Sequence, residues 1–207
     1  FKFDEYFPSK EEYPNKVWKS IDETPYYPFA NSFRPDTLAD MMKDFVADKS
    51  SPFFLYFNTF EPHHPFRRAG SDTIMPADIE VPSHMPDIPG FREALSKYYM
   101  STQRADRGVK RLIEVLKETG QWENTIFIFT SDNGRPFWGA KGNLYEPGIR
   151  LPFVMYDPYV QQNENVTDAM INFADITPTL LDYAGVDISK YGFHGKSFRE
   201  VLSGKEG

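Results

Sequence analysis

Three groups of residues in this chain could do chemistry together. Ser131-Asp132-Asn133-Gly134 follows an apolar run and sets a carboxylate beside an amide carbonyl. Two hard oxygen donors in that order suit a cation such as Ca²⁺ or Mg²⁺. Asp-Asn-Gly is also good turn chemistry, and on this segment alone a plain turn is the stronger alternative. Glu61-Pro62-His63-His64-Pro65 offers an imidazole in a proline-framed loop, and Lys141-Gly142-Asn143 offers an ammonium. An imidazole, two oxygen ligands and an ammonium suit an anionic substrate. The cation and ammonium neutralise developing charge, and the imidazole protonates a leaving oxygen. Singly, each has a bland explanation: a surface loop for His63, a solvated lysine for Lys141. Glu146 and Arg150, four apart, are expected to form an ordinary salt bridge that holds their loop. His84 and His194 have no supporting context and take no role. Only the joint pattern favours function.

These groups need strands that end where the loops begin. Apolar runs predict buried strands over 53–57 and 125–130, and a third over 151–156 with Pro152 at its edge. Helical spacing predicts a helix from about Pro35 to Val46 and a long one over 91–119, capped by Gly120. A short helix is expected from Asp175, with Asp175 or Thr177 as cap and Gly185 near its end. A last helical turn is expected over 198–202, and a short strand near Met170. Residues 1–35 read as extended loop, and 61–90 as a proline-rich loop of functional length. Alternating strands and helices predict an α/β fold with a mostly parallel sheet flanked by helices. The candidate loops would then converge at the sheet's carboxyl edge.

Composition narrows the class. The chain has 207 residues, 40% hydrophobic and 26% charged, with 19 Phe, 12 Tyr and 17 Pro. That is enough for one substantial core. A net charge of −7 and a pI of about 5.2 argue against a nucleic-acid partner. No apolar run approaches the ~20 residues of a membrane span. There is no cysteine, which excludes disulfides, zinc–thiolate sites and a cysteine nucleophile within the chain. Asn165-Val166-Thr167 is a lone glycosylation sequon. Residue 1 is Phe, so the absence of a targeting segment carries no information.

With these residues in view, the chain resembles the sulfatase family of the alkaline-phosphatase-like superfamily, from about residue 36 to 203. Pro52-Phe53-Phe54-Leu55-Tyr56 and Pro62-His63-His64-Pro65 resemble the family's strand and Pro-His-x-Pro loop. Tyr98 to Gly134 resembles its long helix, with Asp106, and its Ser-Asp-Asn-Gly segment. Residues 140–152, Ala140-Lys141-Gly142-Asn143 onward, are similar to its second lysine motif. Asp175 to Leu181 and Gly195-Lys196-Ser197 resemble later segments. The order and spacing are more specific than any one motif.

The resemblance implies roles. Asp132 and Asn133 match two ligands of a divalent cation, usually Ca²⁺, with Mg²⁺ the alternative. His63 matches the histidine near the leaving oxygen, and Lys141 the lysine that contacts sulfate. The implied nucleophile is a formylglycine made from Cys or Ser in a Cys-x-Pro-x-Arg motif. The chain has no such motif, no early paired aspartates and no Gly-Lys-x-His segment. It is therefore expected to be an internal fragment with about half an active site, inactive alone. Residues 1–160 would belong to the catalytic α/β domain, and 161–207 would lead toward a carboxyl-terminal subdomain. Pro147 and Arg135-Pro136-Phe137 resemble the heparan N-sulfatase-like branch, which implies a sulfated sugar or other sulfated small molecule as partner. Family members are often periplasmic, extracellular or lysosomal. The alternatives are a phosphodiester or phosphonate monoester hydrolase of the same superfamily, or a non-catalytic anion- or glycan-binding chain.

Overall fold

The computed structural model describes residues 34–66, 74–160 and 166–202. Nearly all of the expected amino-terminal loop, part of the proline-rich loop and Asn165 of the sequon lie outside them. The chain divides into two compact units, one of Phe1–Glu123 with Ser131–Pro152, the other of Asn124–Thr130 with Phe153–Gly207.

The first unit is organised by one long helix. Two short helices come first, α1 (Pro35–Met41) and α2 (Lys43–Ala47), followed by α3 (Pro89–Glu118). Pro89 stands in the first turn of α3, where its missing N–H costs nothing. Leu95, Met100, Leu112, Val115 and Leu116 recur at helical spacing on its buried face. Gly120 ends the helix at φ 66°; its N–H reaches Lys117 O at 3.1 Å, and that of Gln121 reaches Leu116 O at 2.8 Å. This Schellman pattern satisfies carbonyls that the helix end would leave open. Gly108 lets α1 approach, because a Cβ there would overlap Pro35. The helix expected up to Val46 is broken at Met42 into α1 and α2.

The strand expected over 53–57 is not formed. Residues 52–60 have no regular secondary structure, and no ladder partner lies beside them among the described residues. The alternation survives: Phe54 and Tyr56 are 63% and 74% exposed, whereas Phe53, Leu55 and Phe57 are half-buried. Apolar residues alone cannot make a strand without backbone hydrogen bonds to a neighbour.

In the second unit, β1 (Phe127–Thr130) pairs with β2 (Phe153–Tyr156). The pairing is antiparallel, with Phe127 opposite Tyr156 and Thr130 opposite Phe153. This corrects the mostly parallel sheet: among the described residues the sheet is this one antiparallel pair. Burial on both faces also fails, since the cross-strand neighbours Phe129 and Val154 are 39% and 62% exposed. An antiparallel pair tolerates one wet face, whereas a parallel sheet does not.

Helix α5 (Phe173–Tyr183) follows, after a four-residue α4 (Glu146–Ile149) in the first unit. Its cap is Asn172, not Asp175 or Thr177. Asn172 Oδ1 accepts from Ala174 N at 2.8 Å, and Asp175 Oδ2 accepts from Asn172 N at 2.8 Å. Asp175 is thus the far member of a capping box. Gly185, at φ 73°, closes the helix as expected. A last turn, α6, spans Arg199–Leu202. Among the described residues 166–172 no strand forms, and Met170 is exposed. No described helix is long and apolar enough to cross a membrane.

Candidate functional site

All four candidate residues lie in the first unit, on two loops. The first loop is anchored by Glu61. Its buried carboxylate accepts from Arg104 Nε, on α3, at 2.7 and 2.8 Å. Thr59 Oγ1 donates to Glu61 O at 2.8 Å, and His63 N donates to Phe60 O at 2.8 Å. The loop therefore turns tightly at His63, whose ring lies edge-on to Phe60 at 4.9 Å. His63 Nδ1 is 2.6 Å from His64 O. A carbonyl can only accept, so Nδ1 carries the proton and Nε2 is the open end. His63 is exposed, and Nε2 meets no described partner.

The second loop, 131–150, is folded on itself. A Cβ on Gly134 would overlap Pro147 O, and one on Gly148 would overlap the carbonyls of Asn143 and Ala140. Only glycine allows both backbone crossings. Lys141 N donates to Arg135 O at 3.1 Å, and Asn143 N to Ala140 O at 3.0 Å. Gly139 and Gly142 take φ of 72° and 76° on either side of Lys141. Glu146 and Arg150 form the expected exposed ion pair, at 3.2 Å. Lys141 is exposed, and its ammonium meets no described partner.

The Asp132 carboxylate is exposed and makes no hydrogen bond or ion pair with any described residue. Ser131 Oγ donates to Asn133 O at 2.9 Å, and Asn133 Nδ2 donates to Gly134 O at 3.0 Å. One N–H of the amide is thereby engaged, and Asn133 Oδ1 accepts from no described donor. An open carboxylate beside an open amide oxygen fits a hard cation. These two supply only part of a Ca²⁺ shell, and the described residues hold no group of three or more His, Asp or Glu able to bind a metal.

An aromatic cluster joins the two loops. Phe66, beyond His64, lies 6.0 Å from Phe137 of the second loop. Tyr98 of α3 meets both rings, at 5.5 and 5.4 Å, and Phe91 meets Phe137 at 5.4 Å. Burial pushes the Tyr98 hydroxyl above its ordinary range, while nearby Arg135 pulls it the other way. The two loops are thus fixed to the same end of α3. The side chains of His63, Asp132, Asn133 and Lys141 make no hydrogen bond or ion pair with one another.

Two features escaped the sequence. Arg104 anchors the first loop. The signal was a charged residue on the apolar face of α3, between Met100 and Leu112. His84 lies 3.3 Å from Arg135, 51 positions away, and nothing local signals that contact.

A family model described as Sulfatase matches residues 1–186. Over 121 residues the chain is 35% identical to N-sulphoglucosamine sulphohydrolase of Homo sapiens, covering 58% of this chain and 24% of that protein. It is 31% identical over 185 residues to an arylsulfatase of Clostridium perfringens, covering 75% and 38%. The chain therefore spans well under half the length of these relatives. In fold it is similar to a phosphonate monoester hydrolase from Silicibacter pomeroyi. The TM-score is 0.69 at 22% identity, covering 82% of this chain and 42% of that one.

Proposed function

Because the chain belongs to the sulfatase family, we propose that the protein containing it hydrolyses sulfate esters or sulfamates borne on sugars. The observation that carries this is the open Asp132 carboxylate beside the open Asn133 oxygen, in a chain of that family. Asp132 and Asn133 are two oxygen ligands of a divalent cation, Ca²⁺ ahead of Mg²⁺. When bound, that cation polarises the sulfate oxygens. Lys141 neutralises charge on the sulfate with its unpaired ammonium. His63, held through Nδ1, presents Nε2 to the leaving oxygen and, when protonated there, donates to it. The family's formylglycine nucleophile would arise in a Cys- or Ser-x-Pro-x-Arg motif, which the given sequence does not contain.

Similarity to the human N-sulphoglucosamine sulphohydrolase supports a sulfated amino sugar. The fold shared with a phosphonate monoester hydrolase supports a second reading, hydrolysis of phosphonate or phosphate esters. The test is to assay the complete protein on an aryl sulfate, an N-sulfated and an O-sulfated glucosamine, and a phosphonate monoester. Asp132→Ala and His63→Ala are run alongside. The proposal expects sulfate cleavage to dominate and both variants to lose at least about a hundredfold in rate. A faster phosphonate reaction selects the second reading. Unchanged rates in both variants reject the residue assignment.

A further inference from the structure

We propose that Arg135, backed by His84, is a second anion-binding position that recognises a carboxylate or further sulfate on the same sugar substrate. This rests on the sulfatase reading above.

Arg135 lies between two parts of the candidate site. It follows Asn133 by two residues, and its carbonyl accepts from Lys141 N at 3.1 Å and from Phe137 N at 2.8 Å. Its backbone is therefore fixed between the cation ligands and the lysine. Its side chain is half-buried. Nη2 is 3.3 Å from His84 Nε2, and Nε is buried without a hydrogen-bond partner. A guanidinium can only donate, so His84 Nε2 is the acceptor. That contact orients the fork without cancelling its charge.

Other part-buried or ion-paired arginines of the first unit show the contrast. Arg92, Arg104, Arg111 and Arg150 each meet a carboxylate, whereas Arg34 and Arg107 stand exposed in water. Arg135 meets none among the described residues. Part-burying a cation without a counterion is costly, and an incoming anion offsets that cost. A planar guanidinium presents paired donors that match a carboxylate or sulfate in two-point contact. The site would then hold two anions: the sulfate to be cleaved, and a second group elsewhere on the sugar. A substrate bearing both is selected over one bearing only the first.

The test is calorimetric binding to the complete protein and to its Arg135→Gln, Arg135→Lys and His84→Ala variants. The probes are a neutral monosulfated glucosamine, a monosulfated disaccharide with a uronate, and a disulfated disaccharide without one. Arg135→Gln is expected to weaken a dianionic probe about tenfold more than the monosulfated one. His84→Ala should lose less in the same direction. Arg135→Lys, which keeps charge but not the fork, should fall between and guards against a folding defect. A selective loss with the uronate probe alone assigns the position to carboxylate; with the disulfated probe alone, to sulfate. Equal losses on all probes in both Arg135 variants, or no loss on any, overturn the inference and leave the sulfatase reading intact. A wild-type protein that binds none of the probes overturns both.

Discussion

Glu61 and Arg104 form a buried ion pair in which one carboxylate grips one guanidinium nitrogen through both oxygens, at 2.7 and 2.8 Å. Their side chains are only 3% and 9% exposed. Glu61 begins the loop that carries His63, and Arg104 stands on α3. This pair, together with the Phe66–Tyr98 ring contact, fastens a catalytic candidate to the most regular element of its unit. Breaking such a pair from one side leaves an uncompensated buried charge.

Glu61→Ala and Arg104→Ala should each destabilise the protein by about 3–5 kcal/mol, read from chemical denaturation. The double replacement Glu61→Leu with Arg104→Leu should recover much of that loss, because no charge is stranded. Single variants within about 0.5 kcal/mol of wild type would show that the pair does not anchor the loop.

The glycine crossings of the second loop give a separate test. Gly148→Ala should cost about 1–3 kcal/mol, because its Cβ would overlap the carbonyls of Ala140 and Asn143. Gly90→Ala is the control, since its Cβ meets nothing. Amide exchange should quicken over 131–150 in Gly148→Ala and stay unchanged there in Gly90→Ala. Equal protection in both variants would contradict the packed loop.

Glu118 sets a pH dependence. Arg111 first, then Lys43, holds its carboxyl from 4.5 down to about 2. A lowered folded-state pKa means that the stabilisation is fully present above 4.5 and is lost as pH falls toward about 2. The gap in urea midpoint between wild type and Glu118→Gln should therefore close across that window. A constant gap would show that Arg111 and Lys43 do not hold the charge.

Local order was legible where periodicity and end signals agree. The apolar stripe of α3 and Gly120 behind it predicted both body and end of that helix. The direction of a strand's partner was not legible, because the side chains of β1 encode burial but not which segment lies alongside. Residues 53–57 show the same limit, having the alternation of a strand without a ladder. The cap of α5 was missed because Asp175 does serve the cap, but from the third helical position, answering Asn172. In the site, residue types placed His63, Asp132, Asn133 and Lys141 on loops. The contacts that steady those loops, Glu61 with Arg104 and Phe66 with Phe137, join segments far apart in the chain. No local pattern announces them.

The most direct test of the cation assignment is restoration of activity after chelation. The complete protein would be stripped with a chelator and titrated with Ca²⁺, using an aryl sulfate as reporter, beside Asp132→Asn and Asn133→Ala. With Asp132 and Asn133 as cation ligands, stripping should abolish the rate and Ca²⁺ should restore it in wild type. Each variant should need at least about tenfold more Ca²⁺ for half recovery. Superimposable Ca²⁺ curves for wild type and both variants would contradict that assignment.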